Sequence, residues 1–483
     1  MLGLDGPSVA TLLGSGPIHL YQLATGNAVT VPLAAQKSAL LMLESERDAQ
    51  DSLTVAIQPY SAYRTTSLQA PLVMPHPTLG DVGDRFESRL RRMDASLAGT
   101  PASRSYHILD DPRYSVGDTE KFWVISNLSG SNASTETQVT AKAVYVGPHC
   151  YVFEDESIPS GQVDSKLQTI GSSFDQKIYP TDTRIFGTPM AAKVNGDDRV
   201  TLLVTPAVGD YGQDTIIGYF TARDLYAPTA DPKNPLLQHS NQRLMLYISS
   251  LVVDKGTESD YLGTCAHEFQ HLINASNKLF QSGSSGHTEE VWLDEGLAMY
   301  AMAANGYGLD ADGGVLMSHV ISYQSAPSLF SLTDWDVDPN QSAYGAVYLF
   351  ITYLVDRFGE GILHELVSSP ETGITNMNDR LVSRHTTFNQ VFEDWTVANL
   401  LDHTGLSSDP KYNYTSLNMI GTYAGQTLHG LKLEPIDVPN AGSLAFLPYS
   451  AQYFYVGATN GGSYQFTLKG ASGQDFGGVV ATP

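Results

Sequence analysis

Residues 263–275, GTCAHEFQHLINA, contain two histidines four positions apart, His267 and His271. On a helix, side chains at i and i+4 project from one face with their Cβ atoms about 6 Å apart, which suits two ligands of one metal ion. Glu268 lies about 100° around the helix from His267, so its carboxylate can reach a water molecule on that metal without being a ligand. The stretch therefore predicts a metal-binding helix.

The opposite face of this helix is apolar. Hydrophobic residues recur there at i, i+3 and i+4 spacing, namely Leu262, Ala266, Phe269, Leu272 and Ile273. Such a stripe anchors a helix in a core, so the two histidines and the glutamate are predicted to project from a fixed element. Their spacing is that of the HExxH motif of zinc peptidases.

A third ligand is expected from elsewhere, because a catalytic zinc ion takes three protein ligands and keeps one position for water. Residues 289–302, EEVWLDEGLAMYAM, form the next helical segment and contain Glu295. The intervening chain allows the first helix to end, a loop to turn at residues 282–286 and a second helix to return. We therefore predict Glu295 as the third ligand.

These two segments together resemble the gluzincin metallopeptidases, and within them the hyicolysin family of secreted neutral proteases. The similarity extends through FDQKIYP, TLLVTP and IIGYF before the motif and through YGAVYLFITYLVDRFG after it. The resemblance implies that His267, His271 and Glu295 bind zinc and that Glu268 is the general base. Asp294 stands where the family often has Asn, which should alter the hydrogen bonding around the ligands more than metal binding itself.

The strand and helix patterns, read with this resemblance, predict a multidomain α+β chain. A gluzincin (thermolysin-like) catalytic domain is expected over residues 113–410, with an N-terminal lobe built on a twisted, mainly antiparallel sheet and a helical C-terminal lobe. A β-rich domain over residues 1–65 and a linker with one helix over residues 66–112 precede it, and a β-sandwich-like domain over residues 411–483 follows it. By analogy, residues 216–223 form the edge strand that pairs with the substrate backbone.

The helix expected in the linker, residues 81–97, carries four arginines: Arg85, Arg89, Arg91 and Arg92. A solvated helix is the favoured interpretation, and a brace against nearby carboxylates is the alternative. The sequence leaves open whether the region before residue 113 acts as a pro-segment.

Further residues are candidates for supporting roles. Tyr344 resembles the tyrosine that donates a hydrogen bond to the tetrahedral oxyanion in related gluzincins, with a core tyrosine as the alternative and His319 as the second candidate donor. Glu290 and Asp294 are candidates to accept the second ring N–H of a ligand histidine. Asp294 and Glu290 are equally compatible with solvent exposure.

Composition excludes some classes of partner. The chain has 51 acidic against 27 basic residues and a formal charge of −24, which opposes binding to nucleic acid or anionic lipid. The longest apolar stretches are too short to span a bilayer, so no membrane span is expected. The first residues lack the pattern of a signal peptide, so a secreted protein is expected to have lost its leader.

Two other questions stay open at this level. Cys150 and Cys265 are compatible with a disulfide, although Cys265 is better explained as a small buried side chain than as a metal ligand. Asp334, Asp336 and Asp338 alternate in a loop and invite a calcium site, but Pro339 stands where an EF-hand loop needs glycine. A solvated acidic loop is favoured.

The function predicted from the sequence is a secreted, extracellular zinc endopeptidase that acts on proteins or peptides. A zinc aminopeptidase is one alternative, but the chain has no GxMEN-type segment before the motif. A non-catalytic cell-surface binding scaffold is the other, and the intact Glu268 argues against it because a scaffold needs no general base. The oligomeric state is left open.

Overall fold

The protein is described by a computed structural model. The described residues are 18–33, 38–47, 49, 51–59, 86–101, 105–129, 133–211, 214–281, 286–312, 314–335, 341–436, 440–457, 461–470 and 476–482. Among them, no helix combines the length and apolar character needed to cross a bilayer.

The helices are α1 (Phe86–Ala95), α2 (Asp164–Ser173), α3 (Tyr179–Phe186), α4 (Ser250–Lys255), α5 (Glu258–Phe280), α6 (Val291–Ala304), α7 (Val315–Ser325), α8 (Gln341–Phe358), α9 (Gly361–Val367), α10 (Gly373–Val382) and α11 (Phe388–Leu401). The strands are β1 (His19–Ala24), β2 (Ala28–Leu33), β3 (Ala39–Ser45), β4 (Asp51–Pro59), β5 (Thr119–Ser129), β6 (Ala133–Val146), β7 (Cys150–Asp155), β8 (Val200–Thr205), β9 (Asp210–Tyr211), β10 (Asp214–Thr215), β11 (Gly218–Tyr219), β12 (Met245–Ser249), β13 (Thr422–Tyr423), β14 (Gln426–Thr427), β15 (Glu434–Ile436), β16 (Asn440–Phe446), β17 (Ser450–Val456), β18 (Gly462–Gly470) and β19 (Phe476–Thr482).

The chain divides into two compact units. Unit A comprises residues 83–317 and 358–384, and unit B comprises residues 1–82, 318–357 and 385–483. The expected catalytic domain over residues 113–410 does not coincide with either, because α1 belongs to unit A while α7, α8 and α11 lie wholly or mostly in unit B. The periodicity of apolar residues predicts where a helix lies in the sequence, but it does not predict the element on which its apolar face packs. The boundaries of the two units therefore depend on tertiary packing.

Unit A contains a six-stranded sheet in the order β11-β12-β8-β7-β6-β5. β8 is parallel to both β7 and β12, and the other neighbours are antiparallel, so the sheet is mixed. β8 and β12 are buried at every position. Strands covered on both faces read as continuous apolar runs, which explains the sequences VTLLVT and MLYIS.

Helix α5 begins at a capping box in unit A. The Asp260 backbone N–H donates to Thr257 Oγ1 over 3.3 Å, and the Thr257 N–H donates back to Asp260 Oδ2 over 2.8 Å. Two N–H groups that lack helical partners are thereby satisfied, and the helix start is fixed. At the other end, buried Lys278 donates to the carbonyls of Leu366 and Ser369, which ties the last turn of α5 to α9 and the chain that follows.

Edge strand β11 lies close against α5. A Cβ added to Gly218 would meet Thr264 Cγ2 at 2.5 Å and the Tyr247 carbonyl at 2.8 Å. Any larger residue would therefore push the strand away from the helix. This close approach places the end of the sheet beside the predicted metal-binding helix.

Unit B contains a double-layered β structure. One sheet has the order β1-β19-β3-β17-β15 and the other β16-β4-β18-β2. Strands from the start of the chain alternate with strands from its end, so the domains expected separately over residues 1–65 and 411–483 are halves of one structure. No two of the strands β1 to β4 are neighbours in either sheet, so each of them pairs only with strands from the end of the chain. Together the two halves enclose a shared core that includes Leu41, Phe454 and Phe466.

Candidate metal centre

The three predicted ligands converge in unit A. The Nε2 atoms of His267 and His271 on α5 lie 3.1 Å apart. Glu295 on α6 places its Oε2 3.3 Å from His267 Nε2 and 3.5 Å from His271 Nε2. All three side chains are buried, so the site is a closed cluster of donor atoms.

The spacing of these atoms fits zinc. Ligand atoms about 2.0–2.1 Å from a tetrahedral ion are about 3.3 Å from one another, which is the separation seen here. Glu295 Oε2 is buried and has no hydrogen-bond partner among the described residues. An orphaned carboxylate oxygen between two imidazole nitrogens would be costly to bury, so the donor set is suited to holding a divalent cation.

Asp294 orients one of the ligand histidines. Its Oδ2 lies 2.8 Å from His271 Nδ1, and its Oδ1 accepts a hydrogen bond of 2.6 Å from Asn274 Nδ2. A carboxylate on the second ring nitrogen fixes the orientation of a metal-binding imidazole and raises its basicity. Glu290, the other candidate, instead accepts from its near neighbour Trp292.

The electrostatics of the cluster favour a cation. Burial and nearby Arg91 lower the pKa of His271, but the carboxylates of Asp294 and Glu295 outweigh them and raise it to about 10. Burial alone would raise the pKa of Glu295, yet the nearby imidazoles of His271 and His267 hold it well below its usual value. The site therefore keeps ionised carboxylates in a buried position, where positive charge is strongly attracted.

Glu268, the predicted general base, is also buried and lies near this cluster. Its Oε2 is 3.7 Å from Arg91 Nη2, and the same guanidinium places Nε 3.6 Å from Glu295 Oε1. One cation thus contacts both Glu268 and a predicted ligand. The two oxygens of Glu295 divide their roles, because Oε2 faces the histidines and Oε1 faces Arg91.

Arg91 was not singled out by the sequence, and the favoured interpretation of its helix as solvated is wrong for this residue, which is 7% exposed. The sequence did contain a signal that this helix packs against the rest of the protein. Apolar residues occur at helical spacing, and all are buried in the structure: Phe86, Leu90, Met93 and Leu97. An amphipathic stripe on so arginine-rich a segment predicts a packed helix rather than a solvated one.

Tyr344 and His319 lie in unit B. Tyr344, in the first turn of α8, is buried, and its ring centroid is 5.4 Å from that of His319 and 5.2 Å from that of Trp335. A Cβ on Gly345 would lie 2.2 Å from the His319 carbonyl oxygen, so this glycine allows α7 and α8 to pack closely. The two candidate donors are therefore neighbours within one unit.

The remaining predictions have mixed outcomes. Cys150 and Cys265 are buried free thiols, so the disulfide left open by the sequence is absent. Asp336 and Asp338 of the suggested calcium loop lie outside the described residues. Within residues 216–223, β11 is a short strand at one end of the sheet.

Comparisons with known proteins agree with this geometry. Residues 245–396, which include both helices that carry the predicted ligands, match the sequence model of the Peptidase MA superfamily. The chain is also 30% identical over 270 residues to the Neutral metalloprotease ShpI of Staphylococcus hyicus, an alignment that covers 53% of this chain and 56% of the relative. The chain thus spans about half the length of the curated relative it matches. Both matches are to peptidases, and residues 245–396 contain His267, His271 and Glu295.

Proposed function

We propose that this protein is a zinc-dependent endopeptidase that hydrolyses proteins or peptides outside the cell. The observation that carries the proposal is the convergence of His267, His271 and Glu295 at mutual distances suited to one tetrahedral ion, with Glu268 beside them. The extracellular location is inferred from the resemblance to secreted neutral proteases.

Each residue in the site has a distinct role in the proposed reaction. His267, His271 and Glu295 hold zinc, which when bound supplies a Lewis acid that lowers the pKa of water. Glu268 accepts the proton of the attacking water and later donates it to the nitrogen of the leaving amine. Asp294 keeps the His271 ring in position throughout.

Tyr344 is the proposed donor to the oxyanion that forms on the substrate carbonyl. Its support is the resemblance of its position, in the first turn of a helix after the two metal-binding helices, to that of the tyrosine in related enzymes. His319 is the alternative donor. A hydroxyl or imidazole N–H aimed at developing negative charge typically contributes a factor of about 100 or more to turnover.

Two features favour an endopeptidase over an aminopeptidase, namely the edge strand β11 and the sequence before the metal-binding motif. β11 and the residues after it offer backbone N–H and C=O groups that can pair with an extended peptide on both sides of the scissile bond. No GxMEN-type segment that would grip a substrate amine precedes the motif.

The experiment is the digestion of casein by zinc-loaded protein, with and without a zinc chelator, followed by mapping of the cleavage sites by mass spectrometry. We expect internal cleavages that the chelator abolishes and that are absent from the matched Glu268→Gln variant, which should retain its zinc and its fold. Cleavage only at amino termini would indicate an aminopeptidase. Undiminished cleavage by Glu268→Gln would contradict the proposed general base.

A further inference from the structure

Helix α1 is docked on unit A through an apolar stripe. Phe86, Leu90 and Met93 are all buried, and the Phe86 ring lies against Tyr219 of edge strand β11 with 5.4 Å between ring centroids. Removal of large apolar side chains from water strongly favours the docked helix over an exposed one. The helix is therefore held at the end of the sheet.

The docked helix delivers a permanent cation to the catalytic carboxylates. The Arg91 guanidinium lies 3.7 Å from Glu268, 3.6 Å from Glu295 and 3.9 Å from Asp294, measured between the nearest nitrogen and oxygen atoms. A guanidinium keeps its charge at any pH at which proteins fold, and it has no acceptor. Next to the proposed general base, it occupies space that water and a scissile bond would need.

The same helix also engages the backbone beyond β11. Arg91 Nη1 donates to the Phe220 carbonyl over 3.2 Å. Asp94 accepts from the Ala222 backbone N–H over 2.9 Å and from the Thr221 hydroxyl over 2.8 Å. The Phe220 carbonyl lies directly after β11, in the segment proposed to pair with substrate, so Arg91 occupies a backbone acceptor that an extended peptide could use. Asp94 instead holds the first residue of the short 3₁₀ helix Ala222–Leu225, which fixes α1 on this segment.

We propose that α1 is an internal inhibitory segment that occupies the substrate site, with Arg91 as the residue that blocks the catalytic carboxylates and Asp94 as its anchor on residues 220–222. This proposal rests on the proposed peptidase function. Substrate binding requires α1 to leave, so the intact chain hydrolyses substrate only slowly, in the small fraction of molecules from which α1 is displaced. Because Glu295 Oε2 faces the histidines while Oε1 faces Arg91, α1 blocks substrate without displacing zinc.

The test compares the intact, zinc-loaded chain with three variants. Arg91→Ala removes the blocking cation, and Asp94→Ala removes the anchor. Arg92→Ala is the matched control, since it deletes the neighbouring arginine, which helical geometry directs about 100° away. Casein hydrolysis should rise about tenfold or more in the first two variants, because a competent state that is rarely populated lowers the apparent rate by its population. Arg92→Ala should remain within about twofold of the parent chain.

Two further measurements separate the alternatives. Zinc content should be the same in all four proteins, and melting curves should show each variant folded at the assay temperature. A fluorescent peptide hydroxamate should bind more tightly to Arg91→Ala and Asp94→Ala than to the parent. Unchanged or reduced hydrolysis together with unchanged hydroxamate binding in these folded variants would overturn the proposal and make Arg91 a permanent part of the site. Tighter hydroxamate binding with no hydrolysis by any form would support the blocked site and instead overturn the peptidase function.

Discussion

Among the described residues, two clusters of potential metal ligands look alike by distance and differ in burial and chemistry. The His/Glu cluster of unit A comprises His267, His271, Asp294 and Glu295, and the triple-Glu cluster of unit B comprises Glu44, Glu46 and Glu393. In each, three side chains bring ligand atoms within 4.8 Å of one another. Proximity by itself therefore does not distinguish a catalytic metal centre from a structural group of acids.

The two clusters differ in the groups that surround their carboxylates, and these groups shift the pKa values in opposite directions. In the His/Glu cluster, two histidines hold the pKa of Glu295 well below its usual value in spite of burial. In the triple-Glu cluster, burial is the largest influence on Glu44, and the charges of Glu393 and Glu46 add to it, so its pKa is raised well above the usual value. Thr396 donates to Glu44 Oε2, while Oε1 has no partner among the described residues. Glu44 therefore tends to be neutral, whereas Glu295 is ionised and ready to bind a cation.

The largest effect that separates the clusters is expected from His271→Ala. Removal of one of three ligands should abolish stoichiometric zinc binding, because the remaining two donors no longer enclose the ion. Elemental analysis after dialysis measures this directly. Glu44→Gln is the matched control and should keep its zinc. If His271→Ala retained full zinc, or if Glu44→Gln lost it, the assignment of the two clusters would be wrong.

Tyr344→Phe tests the proposed oxyanion donor, which belongs to unit B. We expect kcat to fall by roughly a hundredfold with KM nearly unchanged, because the lost hydroxyl donates to charge that develops only in the transition state. Steady-state kinetics on a quenched fluorescent peptide provide the values, and zinc content serves as the control. Wild-type turnover would show that another group is the donor, and His319→Ala would be the next variant to measure.

Asp294→Ala should weaken zinc binding by roughly 10–100-fold, because it removes the whole side chain that lies against His271 Nδ1 and holds the ring in position. Competition with a chromogenic chelator measures the affinity. Glu290→Gln is the control, since Glu290 contacts Trp292 rather than a ligand histidine. Equal effects of the two substitutions would mean that Asp294 has no special role beside His271.

The smallest effect is expected in the triple-Glu cluster. The folded state holds a proton on Glu44 above the ordinary pKa of 4.5, so this group's contribution to stability is complete below about pH 4.5 and is lost as the pH rises through the raised pKa. Glu44→Gln should therefore raise the melting temperature at pH 8 by a few degrees and little at pH 4.5, given about 2–4 °C per kcal/mol. Thermal melting at both pH values, with half-buried Glu46→Gln beside it, tests this. An equal change at pH 4.5 and pH 8 would show that ionisation of Glu44 is not the cause.

The sequence by itself determined the helices that carry the predicted ligands. The period of the helix fixes which residues share a face, so His267 and His271 could be paired from their spacing, and the next helical segment had to supply Glu295. The bounds of α6 also lie within a few residues of the segment predicted over residues 289–302, because caps and apolar periodicity are local signals.

Only the tertiary structure decided which distant elements meet. β3 pairs with β17 and β19, more than 400 residues away in the chain, and the alternating pattern of a strand does not identify its neighbour. The contact of Arg91 with Glu268 likewise joins two elements that are far apart in the chain. A local pattern shows that a helix has an apolar face, but the surface that covers this face, and the charges carried there with it, depend on the packing of the whole unit.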